Sequence, residues 1–137
     1  MSEYLAYCGS RCDLCPRYQA TMAGDEGRLA ELAELWYRCG WRDEILPGEE
    51  MTCTGCHPAM WCRYNIPACA VAHQVPHCGA CENYQFCETV QDMFARNAAY
   101  KDQCEAVCSA AEFEMLCTIC FSKKENLDAA RETQNQQ

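Results

Sequence analysis

Cys53-Thr54-Gly55-Cys56 and Cys78-Gly79-Ala80-Cys81 are the stretches that decide how this chain folds. Each places two cysteines three positions apart around a glycine, a spacing that directs both sulfur atoms toward one metal ion. Two such turns, called zinc knuckles, supply the four sulfur ligands of a tetrahedral site. The two stretches therefore predict that metal binding organises the segment 43–87.

The composition of the whole chain points the same way. Of 137 residues, 15 are cysteine, whereas Val, Ile, Leu and Phe together account for only 19, and the net charge is −9. So few large apolar residues in so acidic a chain are typical of disorder. A structural zinc site contributes about 10–16 kcal/mol in zinc-finger peptides. We therefore expect metal to replace part of a conventional core.

The cysteine spacing favours metal over disulfides. Four Cys-x-x-Cys pairs occur, and the total is odd: Cys12/Cys15, Cys53/Cys56, Cys78/Cys81 and Cys117/Cys120. The first 20 residues contain no basic segment followed by an apolar run, so we expect no export signal. The sequence thus predicts a cytoplasmic protein with reduced thiols.

Charge and patterning also limit the function classes. The acidic balance disfavours nucleic acid, and no apolar run is long enough to cross a membrane. No acid/base or nucleophile-plus-base arrangement is visible at motif spacing, so we expect no enzyme. The small basic cluster Lys123, Lys124 and Arg131 is interpreted as a solvated helix end. An unidentified protein is the expected partner.

Helical periodicity is strongest from Asp25 to Cys39. Asp25 is predicted as the N-cap and Gly40 as the residue after the C-terminus, with Trp36 and Tyr37 in the core. Cys39 shares the apolar stripe and is interpreted as an ordinary buried thiol.

The remaining chain divides in two. Residues 43–87 are interrupted by Pro and Gly and predict turns around metal, with a short helix at 68–72. Residues 88–131 contain neither residue type and predict helices at 88–110, 111–121 and 125–131, followed by a frayed tail at 133–137. The predicted fold is a small, metal-stabilised, mainly α domain over residues 1–132, with an irregular cysteine-rich core packed on helices.

Further candidate ligands lie outside the two knuckles. Residues four apart share a helix face, so a helical hairpin could gather four cysteines at a separate site: Cys104, Cys108, Cys117 and Cys120. The alternative is an apolar contact between helices. His73 and His77 could each replace a thiolate, or could instead donate hydrogen bonds around the site.

The ordered cysteines resemble a known prokaryotic family. The motifs are Tyr7-Cys8-Gly9-x-x-Cys12-x-x-Cys15-Pro16, Cys53-x-Gly55-Cys56, Cys62, Cys69-Ala70 and Cys78-x-x-Cys81-x-x-Tyr84-x-x-Cys87-Glu88. They are similar to the cysteine-rich domain of unknown function 3795 over residues 4 to 95. The resemblance implies zinc bound by Cys8, Cys12, Cys15, Cys53, Cys56, Cys62, Cys69, Cys78, Cys81 and Cys87, with no assigned role.

These observations lead to one main hypothesis and several alternatives. We expect a zinc-binding protein with two or three structural four-cysteine sites, acting as a protein-interaction or regulatory module. In the preferred partition, Cys53/Cys56 share a metal with Cys78/Cys81, and Cys12/Cys15 share one with Cys62/Cys69. An iron–sulfur protein has the same ligand spacing and remains an alternative. Metal storage or trafficking and thiol redox activity also remain open.

Overall fold

The computed structural model describes residues 5–57 and 62–135 and is mainly helical in those ranges. Its α-helices are α1 (Pro16–Ala23), α2 (Glu26–Arg38), α3 (Ile66–Ala72), α4 (Glu88–Val107), α5 (Ala110–Ile119) and α6 (Lys123–Asn135). Short 3₁₀ turns lie at Cys12–Leu14, Gly48–Met51, Cys78–Ala80 and Tyr84–Phe86. Within these ranges the β structure is limited to one antiparallel bridge between Leu5 and Arg11. The predicted mainly α class is confirmed.

The helix predicted at 25–39 is confirmed as α2. The Asp25 carboxylate accepts a hydrogen bond from the backbone N–H of Arg28 at 3.0 Å, which caps the first turn. Gly40 adopts φ +80° just after the helix, a conformation that ends helices at little cost for glycine. Trp36 is buried as predicted, but Tyr37 is 47% exposed because it lies beside the buried stripe and not within it.

Helix α1 was not predicted. It begins with Pro16 at its first position, where proline costs no hydrogen bond, and it ends at Gly24 with φ +68°. The helix has only eight residues, and just two of them, Pro16 and Ala20, are buried. That burial pattern is too sparse for periodicity to detect.

The three C-terminal helices are confirmed with shifted ends. Helix α4 ends at Val107 because Ser109 caps α5: its hydroxyl accepts from Glu112 N–H at 3.2 Å, and the Glu112 carboxylate accepts from Ser109 N–H at 2.9 Å. Helix α6 continues through residues 133–135 of the predicted tail, and residues 136–137 lie outside the described part. Residues 1–4 and 58–61 of the predicted domain also lie outside it.

Two apolar clusters form the interior. The first surrounds α2 and includes Leu32, Trp36, Met51 and Leu116, with the Trp36 and Trp41 rings 5.0 Å apart and edge to face. The second surrounds Leu127 of α6 and consists of Ile66, Tyr84, Val90 and Met93, with cysteines at its margin. The cysteine-rich segment therefore packs on a small apolar core.

Helix α6 lies directly against two cysteine-bearing turns. A Cβ atom added to Gly79 would lie 2.6 Å from the Leu127 carbonyl oxygen, and one added to Gly9 would lie 2.7 Å from that of Lys123. Asn126 also donates to the Gly9 carbonyl at 2.9 Å. The close backbone approach explains why glycine stands in both turns.

The helices in the described ranges are too short or too polar to cross a membrane.

Candidate metal centres

Six cysteines near the N-terminal turn form what we call the first cysteine group. Burial and then the neighbouring thiols Cys8, Cys56 and Cys15 raise the pKa of Cys12 to about 12. Burial and then Cys8, Cys62 and Cys53 raise the pKa of Cys56 to about 11. The pKa of Cys15 is raised by burial and by Cys53. The members are Cys8, Cys12, Cys15, Cys53, Cys56 and Cys62.

Backbone amides point at several of these sulfur atoms. The N–H of Cys56 donates to Cys12, and the N–H of Tyr7 donates to Cys56. Cys15 precedes α1 and accepts from the N–H groups of Arg17 and Tyr18 in the first helical turn. Each of these hydrogen bonds lowers the pKa of its thiol against the effect of burial. They stabilise the thiolate, which is the form that binds metal.

Four cysteines from different elements surround one small cavity and form the second cysteine group. They are Cys69 of α3, Cys78 and Cys81 of the knuckle turn, and Cys87 at the start of α4. The cavity has a volume of about 30 Å³. A water molecule needs roughly 10–15 Å³ on this scale, whereas drug-sized ligands need about 300–1,000 Å³. The space therefore suits an ion and excludes an organic ligand.

The two candidate histidines are placed differently. His73 lines the same cavity, and its Nδ1 lies 2.9 Å from the Cys69 carbonyl oxygen and 3.6 Å from the Cys69 sulfur. His77 is not part of the cavity wall. Its buried Nδ1 has no hydrogen-bond partner in the described part of the chain, and burial lowers the pKa of its ring. His73 is thus the histidine associated with the second group.

Helix α6 holds the knuckle turn of the second group in place. The Arg131 guanidinium donates to the carbonyl oxygens of Gly79 at 2.8 Å and Cys81 at 3.0 Å. It also lies 5.7 Å above the Tyr84 ring, whose hydroxyl donates to Asp128 at 2.6 Å. The interpretation of Arg131 as part of a solvated helix end is therefore wrong. Sequence reasoning missed it because the contact spans 50 residues or more.

Three further thiols meet where α2 and α4 end, and we call them the third cysteine group. The sulfurs of Cys39 and Cys108 are 3.6 Å apart, and the pKa of Cys39 also responds to a hydrogen bond with Cys104. Cys39 and Cys104 are completely buried. Cys39 is buried in the first apolar cluster, as predicted, and its sulfur also contacts that of Cys108.

The four cysteines predicted to form a separate helical site lie near one another, since Cys108, Cys120 and Cys117 all raise the pKa of Cys104 after burial, and other cysteines lie beside them. Cys104 and Cys108 lie with Cys39, as described above. Cys120 is half-buried and lies close to the first group, since Cys15 and Cys8 contribute to the rise of its pKa to about 12, after burial. Arg11 N–H donates to the Ile119 carbonyl at 3.1 Å, which brings the end of α5 to the N-terminal turn. Cys117 is close enough to raise the pKa of Cys104.

The preferred partition of the cysteines stays a prediction, because the two groups adjoin: Cys8 raises the pKa of Cys78 after burial, and Cys78 N–H donates to the Tyr7 carbonyl at 2.9 Å. Cys53 and Cys56 lie with the N-terminal thiols, whereas Cys78 and Cys81 share their cavity with Cys69 and Cys87. Across residues 5–57 and 62–135, no set of three or more His, Cys, Asp or Glu side chains is already arranged as a metal site. The groups are thus defined by the proximity and shared burial of their thiols. These thiols face backbone amides or a small cavity, and such donors fit a thiophilic metal.

Comparison with known proteins gives a family without an assigned function. The family model described as "Protein of unknown function (DUF3795)" matches residues 4–92. Neither the curated proteins nor the solved structures gave a match. The matched segment contains the first two cysteine groups and ends within α4.

Proposed function

We propose that this chain, which belongs to the DUF3795 family of unknown function, is a zinc-binding protein whose first two cysteine groups hold structural metal ions. The observation that carries the proposal is that four cysteines line one cavity of about 30 Å³. Zinc and thiolate are a common pairing in such four-cysteine structural sites.

The arrangement of the second group favours a structural over a catalytic metal. A catalytic zinc keeps one position open for water or substrate, whereas a structural zinc takes four protein ligands. The second group offers four cysteines around a space that leaves no room for a substrate. When bound, zinc would offset half of the charge of four thiolates and would cross-link α3, the knuckle turn and the start of α4. We therefore assign the metal no catalytic step.

A role in protein interaction rests on the surface beside the second group. Phe86 immediately precedes Cys87 and is 82% exposed, and Val71 of α3 is 50% exposed. Both side chains sit on elements that the second group would cross-link, so metal binding would fix their positions. An unidentified protein that recognises these apolar side chains is the partner this surface fits.

Elemental analysis of anaerobically purified protein tests the metal assignment. We expect a colourless protein with at least two zinc ions per chain, because two groups contain four or more thiols. Iron and sulfide in a brown protein would replace the proposal with an iron–sulfur function. A zinc content that follows the supply in the growth medium, with weak binding, would indicate storage or trafficking.

Removal of the metal is expected to unfold the cysteine-rich part first. A strong chelator at neutral pH should increase amide hydrogen exchange in residues 43–87 before it does so in α2. The reason is that α2 alone supplies five buried residues to the first apolar cluster, whereas the described part of the much longer segment 43–87 supplies three to the two clusters together, Met51, Ile66 and Tyr84. Unchanged exchange protection and protease resistance after complete metal removal would contradict a structural role for the metal.

A further inference from the structure

We propose that Cys39 and Cys108 form a reversible disulfide that links the end of α2 to the end of α4, separately from the metal groups. The proposal concerns the third cysteine group and does not depend on which metal fills the other two. Its starting point is the direct contact between the two sulfur atoms, 3.6 Å apart, on residues 69 positions apart in the chain.

The junction already holds the two sulfurs together without a covalent bond. The Arg38 guanidinium, next to Cys39, donates to the Val107 carbonyl at 3.2 Å and to the Glu112 carboxylate at 2.7 and 3.1 Å. Gln103 donates from α4 to the Cys39 carbonyl at 2.6 Å. Because these contacts fix both helix ends, the two sulfur atoms need to move only a short distance to form a disulfide bond.

Both cysteines lie at the ends of their helices. Cys39 is the C-cap of α2, and Cys108 is the C-cap of α4 in an extended conformation, with φ −105° and ψ 154°. Each residue donates its N–H into the last helical turn, Cys39 to Leu35 at 2.9 Å and Cys108 to Cys104 at 3.0 Å, so the bond must form by rotation of the side chains. Cys104, in contrast, lies within α4.

Exposure determines the order of the reaction. Cys39 and Cys104 are completely buried, whereas Cys108 is partly exposed, so a reagent from solution reaches Cys108 first. Cys39 then lies within reach of the Cys108 sulfur, 3.6 Å away, to react with it. The exposed member of the pair is thus the entry point and the buried member completes the bond.

The oxidant is a small-molecule disulfide such as oxidised glutathione. The Cys108 thiolate attacks one of its sulfurs, the S–S bond breaks, and one glutathione leaves and takes up a proton. Cys39 then loses its proton, attacks the Cys108 sulfur and releases the second glutathione as a thiol. Two protein thiols are oxidised and one glutathione disulfide becomes two thiols, so reduced glutathione reverses the step.

Disulfide mapping tests the pairing directly. The full-length, zinc-supplemented protein is equilibrated in glutathione buffers of rising oxidised fraction, its free thiols are alkylated, and it is digested with trypsin and a Glu-specific protease. The sequence separates every relevant cysteine: Cys39 falls in residues 39–42, Cys104 in 102–105, Cys108 in 106–112, and Cys117 with Cys120 in 115–123. We expect fragments 39–42 and 106–112 to be recovered joined.

Two variants and one physical measurement complete the test. Cys108→Ser is expected to leave Cys39 fully alkylatable, whereas Cys117→Ser should retain the link. The oxidised wild-type chain should unfold at a higher urea concentration than the reduced chain, because the bond closes a long loop. Recovery of Cys39 as a free thiol when other cysteines are oxidised, or joined to Cys104 instead, would overturn the proposal.

Discussion

Cys78→Ser is expected to lower the zinc content by one ion per chain and to unfold the region around α3 and the knuckle turn. The variant removes one of the four thiols around the cavity of the second cysteine group. A structural zinc site contributes about 10–16 kcal/mol in small domains. That is as large as the whole stability of a typical domain, about 5–15 kcal/mol. The free energy lost with the zinc site should therefore be larger than the stabilisation that the second apolar cluster provides.

The matched control is Cys108→Ser, a cysteine-to-serine change in the third cysteine group. It should leave the zinc content unchanged, because Cys108 contacts Cys39 and is not one of the thiols of the two proposed metal groups. Zinc is measured by elemental analysis and unfolding by circular dichroism in urea. An unchanged zinc content in Cys78→Ser, or an equal loss in both variants, would remove the second group as a metal site.

Gly9→Ala is expected to destabilise the chain by about 2–5 kcal/mol. Gly9 has φ +95°, a left-handed conformation that costs an L-residue roughly 1–2 kcal/mol. The new Cβ would also lie 2.7 Å from the Lys123 carbonyl oxygen and 2.8 Å from Leu127 Cγ. Overpacking of this kind costs about 1–3 kcal/mol. Because the nearer atom belongs to the backbone, α6 itself must move.

Gly24→Ala separates these two causes. Gly24 also has a positive φ, +68°, but no atom lies within 4 Å of an added Cβ. In Gly24→Ala the free energy of unfolding should fall only by the cost of this backbone conformation, roughly 1–2 kcal/mol. The comparison is made by urea unfolding of metal-saturated proteins. Equal losses of stability in the two variants would show that α6 does not pack on Gly9 as described.

The sequence predicted those features that depend on local pattern. Helix α2 has a full apolar stripe, a side-chain cap at Asp25 and a glycine at position 40, and each acts within a few residues. Helix α1 was missed because eight residues with two buried positions carry no clear period. The ends of α4 and α5 shifted because the Ser109 capping box was not considered.

The grouping of cysteines could not be read from spacing, because spacing shows pairs and not the packing that brings pairs together. Cys53/Cys56 and Cys78/Cys81 look alike in sequence, but α6 holds the second turn through Arg131, 50 residues away. Both turns contact the N-terminal loop at Tyr7, whose N–H donates to Cys56 and whose carbonyl accepts from Cys78 N–H at 2.9 Å. Contact of Cys39 with Cys108 depends likewise on how α2 and α4 pack.

The position of α6 has a consequence for the order in which the chain can fold during synthesis. Leu127 of α6 is completely buried. Gly9 and Gly79 pack closely against it, and Ile66 belongs to the same apolar cluster. All three leave the ribosome well before Leu127 does. Until α6 has been synthesised, both cysteine-bearing turns lack the helix that packs against them. Final closure around any ion they hold must therefore wait for the C-terminal helix, even where the ligands are synthesised early.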